Sequence, residues 1–128
     1  MSVAHSTFAI ERRFKASRAR VFNAWADPQI KNSWRSCHED WRSQGYTLNF
    51  CVGGEEWEDV IEPGGTIHGF AARYHDIIDN ERIVYAYDMR LDGRLISVSL
   101  VTVTFEDSGA GTKMLFTEQL TILDGLCD

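Results

Sequence analysis

The sequence predicts an α+β fold in which a curved antiparallel sheet of about seven strands wraps onto helices, in the order β-α-α-β-β-β-β-β-β. Three observations predict it. A segment with a period of two opens the chain and gives way at once to two short helical segments. From about Tyr46 onward the apolar pattern alternates with period two almost to the end. Turn signals separate those stretches: Gly53-Gly54, Pro63-Gly64-Gly65, Asp92-Gly93 and the run Ser108 to Gly111. A meander of that length needs its apolar face covered, and curling the sheet around a helix covers it.

Thr7 to Phe14 places Phe8, Ile10 and Phe14 on one face and Thr7, Glu11 and Arg13 on the other, with Arg12 alone interrupting the apolar side. In "ASRARVFNAWADP" Ser17 is suited to cap a helix, Val21, Phe22 and Trp25 fall at helical spacing, and Pro28 ends the helix near Ala26. "PQIKNSW" can begin a second short helix with Pro28 in its first turn. Strands follow in "GYTLNFCV", "EEWEDVI", "GTIHGFAARYH", "RIVYAYDMRL", "RLISVSLVTVTFE" and "TKMLFTEQLTI". Asp92-Gly93 is the strongest hairpin signal, because the turn needs positive φ, which Gly supplies without steric cost.

The 128 residues suit a single domain, residues 1–128, burying about two thirds of the unfolded surface. A net charge of -6 speaks against a nucleic-acid partner, whose phosphates need Lys and Arg. Cys37, Cys51 and Cys127 are odd in number and form no CxxC, which disfavours disulfides and a zinc site and suits a reducing cytoplasm. The N-terminus lacks the pattern of a signal peptide, and no apolar run reaches the roughly 18 residues of a membrane span. His5, His38, His68 and His75 show neither HxH nor HExxH spacing, and the glycine pairs match no phosphate or dinucleotide fingerprint, so neither metal nor cofactor is expected. Cys37 and His38, being adjacent, cannot both face one reacting atom on a strand.

If the sheet grips a cavity, one alternating set on each strand points inward. On the last strand that set is Met114, Phe116, Glu118 and Leu120, so Glu118 interrupts an apolar row; such a carboxyl group either finds a partner or is pushed up by desolvation. On the strand after Pro63, His68 and Phe70 are expected inward; on the next, Tyr85, Tyr87 and Met89. Tyrosines there supply apolar area and a hydroxyl for orienting a ligand, although the same alternation suits a sheet with one wet face. Phe50, Trp34 and Trp57 complete the expected wall, with Trp34 at its mouth, and Trp25 is expected in the core.

"ERRFKASRARVFNAWADP" (residues 11–28), "VGG" (52–54), "RYHDIIDNERIVYAYDM" (73–89), "SVSLVTVTFE" (97–106) and "GTKMLFTEQ" (111–119) resemble the START-like superfamily, also called SRPBCC or Bet v 1-like helix-grip proteins. Within it they resemble the branch named for the activator of heat-shock protein 90 ATPase, which includes many bacterial proteins. The resemblance runs from Phe8 to Gly125 and implies the helix-grip fold. It leaves function open, since the superfamily includes lipid carriers, aromatase-cyclases, hormone receptors and chaperone activators. Asn49-Phe50-Cys51 replaces the acidic-aromatic-Arg run of such relatives, and the long final helix that walls their cavity has no counterpart here. Either a tail is missing from this chain or the pocket is open and closed by a partner.

The leading expectation is an intracellular domain that holds a small, mostly apolar ligand, with Tyr87, His68 and Glu118 as polar contacts. One alternative is a cyclase, dehydratase or hydrolase that uses Glu118 and His68 as acid and base. The other is a protein-interaction module like the chaperone activators, for which an exposed apolar patch could equally drive homodimerisation.

Overall fold

The computed structural model describes residues 2–35 and 40–124. Cys37, His38 and Cys127 lie outside the described residues. Along the chain run β1 (Val3–Phe14), α1 (Arg18–Ala26), α2 (Pro28–Arg35), β2 (Arg42–Leu48), β3 (Glu55–Ile61), β4 (Ile67–Ile78), β5 (Arg82–Leu91), β6 (Arg94–Ser108) and β7 (Gly111–Leu123). The strands form one curved antiparallel sheet, ordered β1-β7-β6-β5-β4-β3-β2, with both helices gripped on its concave face. The expected element order and helix-grip architecture are both present.

Local chemistry sets the helix ends. Ser17 Oγ accepts from the Arg20 amide at 3.3 Å and caps α1. Asp27 serves both helices: its amide donates to Asn23 O at 2.9 Å, closing α1, while its Oδ1 accepts from the Gln29 and Ile30 amides at 2.9 and 3.2 Å, opening α2 beside Pro28. Val21, Phe22 and Trp25 bury one stripe of α1 against the sheet. Phe22 meets Phe50 and Phe105 edge-on at 5.8 and 5.5 Å between centroids, and Trp25 stacks over Phe116 at 6.2 Å. This end of the concave face is filled by Tyr74, Ile83, Tyr85, Val101, Val103 and Met114. Further along the strands the inward side chains Phe70, Tyr87, Met89 and Leu120 are only half-buried.

The hairpin at Asp92-Gly93 forms with both residues at positive φ, 49° and 82°. The strand expected in residues 45–52 is displaced: β2 ends at Leu48, and residues 49–54 make a turn instead. The turn is fixed by the Gly53 amide donating to Tyr74 O and the Tyr74 amide donating to Gly54 O, at 2.8 and 3.0 Å, which ties it to β4. A Cβ at Gly54 would stand 2.0 Å from Asn49 O, so the turn has room only for glycine.

Candidate functional site

Three carboxylates, Glu56, Glu58 and Glu118, are buried on the concave face, and each accepts from hydroxyl groups, Glu58 from that of Ser43. Glu56, on β3, has 1% of its surface exposed. Its Oε1 accepts from Lys31 Nζ at 2.7 Å and from the Tyr74 hydroxyl at 2.8 Å, and its Oε2 accepts from the Tyr46 hydroxyl. Lys31 reaches inward from α2 and is itself 5% exposed. Its ammonium donates to Tyr74 Oη at 2.9 Å and lies 5.5, 5.7 and 5.8 Å from the ring centres of Trp25, Tyr74 and Tyr85. Removing either ion from water costs several kcal/mol, an outlay offset only when partners of this quality surround both. Burial, reinforced by the charge of Glu56, holds the phenols of Tyr74 and Tyr85 well above their ordinary range, so they stay protonated.

Glu118, on β7, is 6% exposed. Its Oε2 accepts from the Tyr87 hydroxyl at 2.6 Å and from Ser99 Oγ at 2.7 Å. Among the described residues Oε1 accepts no hydrogen bond, and no cationic side chain pairs with this carboxylate. Strand register sets its surroundings: Glu118 stands opposite Phe8 on β1 and Val101 on β6, and Val101 in turn faces Tyr85. Phe116 and Leu120 flank it on β7, and Phe70 lies 5.1 Å from the ring of Tyr87. The result is a mostly apolar trough that holds Glu118 at its floor and Glu58 buried beside Phe70.

Most of the wall residues expected from sequence lie on this concave side. Phe70, Tyr87, Met89 and Phe116 are half-buried around the trough, while Tyr85 and Met114 are core. Phe50 packs edge-on against Tyr74 at 5.0 Å, toward the filled end. Trp34 is 47% exposed, donates from Nε1 to Ala24 O at 2.9 Å and lies edge-on to Trp25 at 5.1 Å.

Two expectations need correction. Trp57 lies on the outer face, 42% exposed, because its neighbours Glu56 and Glu58 take the inward positions of β3. It lines an open depression of about 380 Å³ with Ala71, Ala86 and Val98. That hollow is wide and shallow, and the Glu118 carboxylate lies on the opposite face of the sheet. His68 does face inward but cannot act with Glu118. Tyr74 belongs to the registered row of Glu118, and His68 lies six residues before Tyr74, about 20 Å away along the strand at roughly 3.3 Å per residue. His68 instead stacks on Trp41 at 4.6 Å, with Nε2 3.5 Å from Glu62 Oε2, within ion-pair reach but without hydrogen-bond geometry. The acid-base pair of the enzyme alternative is not assembled.

Sequence reasoning missed Glu56, Glu58, Lys31 and Ser99. The alternation in "EEWEDVI" carries the signal for Glu56 and Glu58, which bury on the face opposite to Trp57, the one large aromatic on the strand. Among the described residues, no three His, Cys, Asp or Glu side chains come together to hold a metal ion, and no helix is long and apolar enough to cross a membrane.

The family model described as activator of Hsp90 ATPase homolog 1-like protein matches residues 15–126. The chain belongs to this family. Among its structural relatives in the activator-of-Hsp90-ATPase-like fold, a protein from Rhizobium leguminosarum is 48% identical, with 99% of this chain and 84% of that one covered at a TM-score of 0.92. Protein Mll3558 from Rhizobium loti is 37% identical, covering 99% and 86% at a TM-score of 0.91. Protein CV1439 from Chromobacterium violaceum, at 24% identity, 96% and 81% coverage and a TM-score of 0.71, shares the fold. No curated protein matches the chain.

Proposed function

We propose that this activator-of-Hsp90-ATPase-like protein is a small-molecule binding domain, and that its ligand lies in the concave trough against Tyr87, Phe70, Met89, Phe116 and Glu118. The observation that carries this reading is Glu118: a carboxylate buried in an apolar setting, oriented by two hydroxyls on one oxygen, whose other oxygen accepts no hydrogen bond from the described residues. Apolar walls with a few placed polar groups are the usual composition of a ligand site. In this reading Glu118 binds rather than reacts, held in place by the Tyr87 and Ser99 hydroxyls. Mass spectrometry of the full chain, purified natively and then denatured, tests it. A stoichiometric small molecule that is absent when Tyr87→Ala or Met89→Ala is purified in the same way supports the pocket. Retention of that molecule by both variants, or its loss only when Trp57 on the outer face is changed, contradicts it.

A second reading has its own support. Trp57, Val98 and Leu100 leave 42%, 44% and 41% of their surfaces exposed on the outer face of the sheet. Such an apolar face suits protein contact, as the family's description suggests or as a homodimer would use. Comigration of a chaperone with the wild-type chain but not with Trp57→Ser would favour it, and a concentration-dependent sedimentation shift lost in the same variant would favour the dimer.

A further inference from the structure

Resting on the trough reading above, we infer that its ligand is an organic cation: an apolar body carrying an ammonium, or another protonated nitrogen with an N–H to donate, received by Glu118 Oε1. The protein supplies its own template. At Glu56, two tyrosine hydroxyls donate to a buried carboxylate, and the group that completes the arrangement is the ammonium of Lys31, itself 5.5 to 5.8 Å from three aromatic ring centres. At Glu118 the hydroxyl donors are present in Tyr87 and Ser99, and the rings of Phe116 and Phe8 stack on one another at 6.3 Å alongside, but among the described residues no ammonium pairs with it.

Charge on the concave face points the same way. Glu56, Glu58 and Glu118 are all buried there, and Lys31 is the only buried cationic side chain among the described residues. An anionic ligand would bring a second negative charge next to a desolvated carboxylate, which low dielectric penalises. A neutral alcohol could donate to Oε1 but would leave the buried charge uncompensated. A cationic N–H does both, and charge-assisted hydrogen bonds are roughly twice as strong as neutral ones. The net charge of -6 raises the local concentration of cations before contact.

The test is calorimetric titration of the full chain with three probes of one shape: phenethylammonium, phenethyl alcohol and hydrocinnamate. The expected result is a preference of at least tenfold, about 1.4 kcal/mol, for the ammonium over the alcohol, with no binding of the carboxylate probe. Glu118→Gln should erase the preference and keep the alcohol's affinity; Tyr87→Phe, which leaves the charge in place, should keep the preference. Glu106→Gln, an exposed change of the same net charge, should leave all three affinities unchanged. Equal binding of ammonium and alcohol to the wild type overturns the inference without needing any variant, and leaves the pocket standing. A preference that survives in Glu118→Gln also overturns it. If none of the three probes binds, both the inference and the trough reading fall.

Discussion

On β3, Glu56 accepts from two tyrosine hydroxyls and from a lysine ammonium; on β7, Glu118 accepts from a tyrosine and a serine and meets no cation among the described residues. The two carboxylates share one concave face and are almost equally buried, at 1% and 6% exposed. Their partners differ because of what lies above them. α2 drops Lys31 onto Glu56 and closes that end, whereas the side chains around Glu118 remain half-buried. A buried carboxylate with its counter-ion built in is a structural joint. One that has its hydroxyls in place and no counter-ion among the described residues is where we propose that a ligand binds.

Breaking the joint should have the largest effect. Lys31→Met leaves Glu56 buried and uncompensated and should cost about 3–5 kcal/mol, read from urea unfolding midpoints. Adding Glu56→Gln to that variant should recover most of the loss, since the stranded charge is then gone. Equal stability of the wild type and Lys31→Met would show that Lys31 does not hold α2 to the sheet.

Glu118 should respond differently to similar treatment. Glu118→Leu orphans the Tyr87 and Ser99 hydroxyls and should cost about 1–3 kcal/mol. Glu118→Gln keeps an acceptor for both and removes a desolvated charge, so its stability should lie within about 1 kcal/mol of wild type, in either direction. A loss from Glu118→Gln as large as that of Lys31→Met would make Glu118 a second joint and erase the contrast.

The comparison sharpens if a cation is installed. Phe8 is the registered partner of Glu118 on β1 and is 40% exposed. Phe8→Lys should therefore reproduce the Lys31–Glu56 arrangement within the chain, changing stability by less than about 1 kcal/mol while abolishing the binding of phenethylammonium. Undiminished binding would place the cation elsewhere.

The smallest effect concerns pH. Burial raises the phenol of Tyr85 above its ordinary value of 10.0, so the folded chain holds that proton more tightly than the unfolded one. The corresponding stability is complete below about pH 10, where both states are protonated, and is lost as pH rises from there toward the folded-state value. Tyr85→Phe should flatten this alkaline decline in chemical denaturation series from pH 8 to 11, whereas the phenol of Tyr74, raised in the same way, should keep part of it in place.

Much of the fold was legible because single residues carried unambiguous physical demands. Ser17 and Pro28 bounded α1, Asp92-Gly93 supplied the positive φ of a hairpin, and period-two alternation identified the strands. The inward placement of Glu118 was legible for a related reason: alternation puts it in the same row as Met114, Phe116 and Leu120, where a carboxylate needs partners. Glu56 was hidden because "EEWEDVI" is charged on both faces, and its one large aromatic, Trp57, faces out. Ser99 was hidden by an inverted pattern on β6, where Val98 and Leu100 face outward and Ser97 and Ser99 inward. That inversion places polar groups on the floor of the trough, so apolar preference misleads at the site itself. Lys31 could not be placed, because an eight-residue helix following a break at Asp27 does not reveal which side faces the sheet. The distance between His68 and Glu118 depends on the register of four strands, which alternation alone does not fix.

The most direct measurement is carbon-detected NMR of the chain labelled at the glutamate side-chain carboxyl carbons, titrated with phenethylammonium. The account predicts that the Glu118 resonance, assigned by its loss in Glu118→Gln, moves with saturating dependence on the probe while that of Glu56, already paired with Lys31, stays where it is. A stationary Glu118 resonance with bound probe, or equal movement of both, would contradict it.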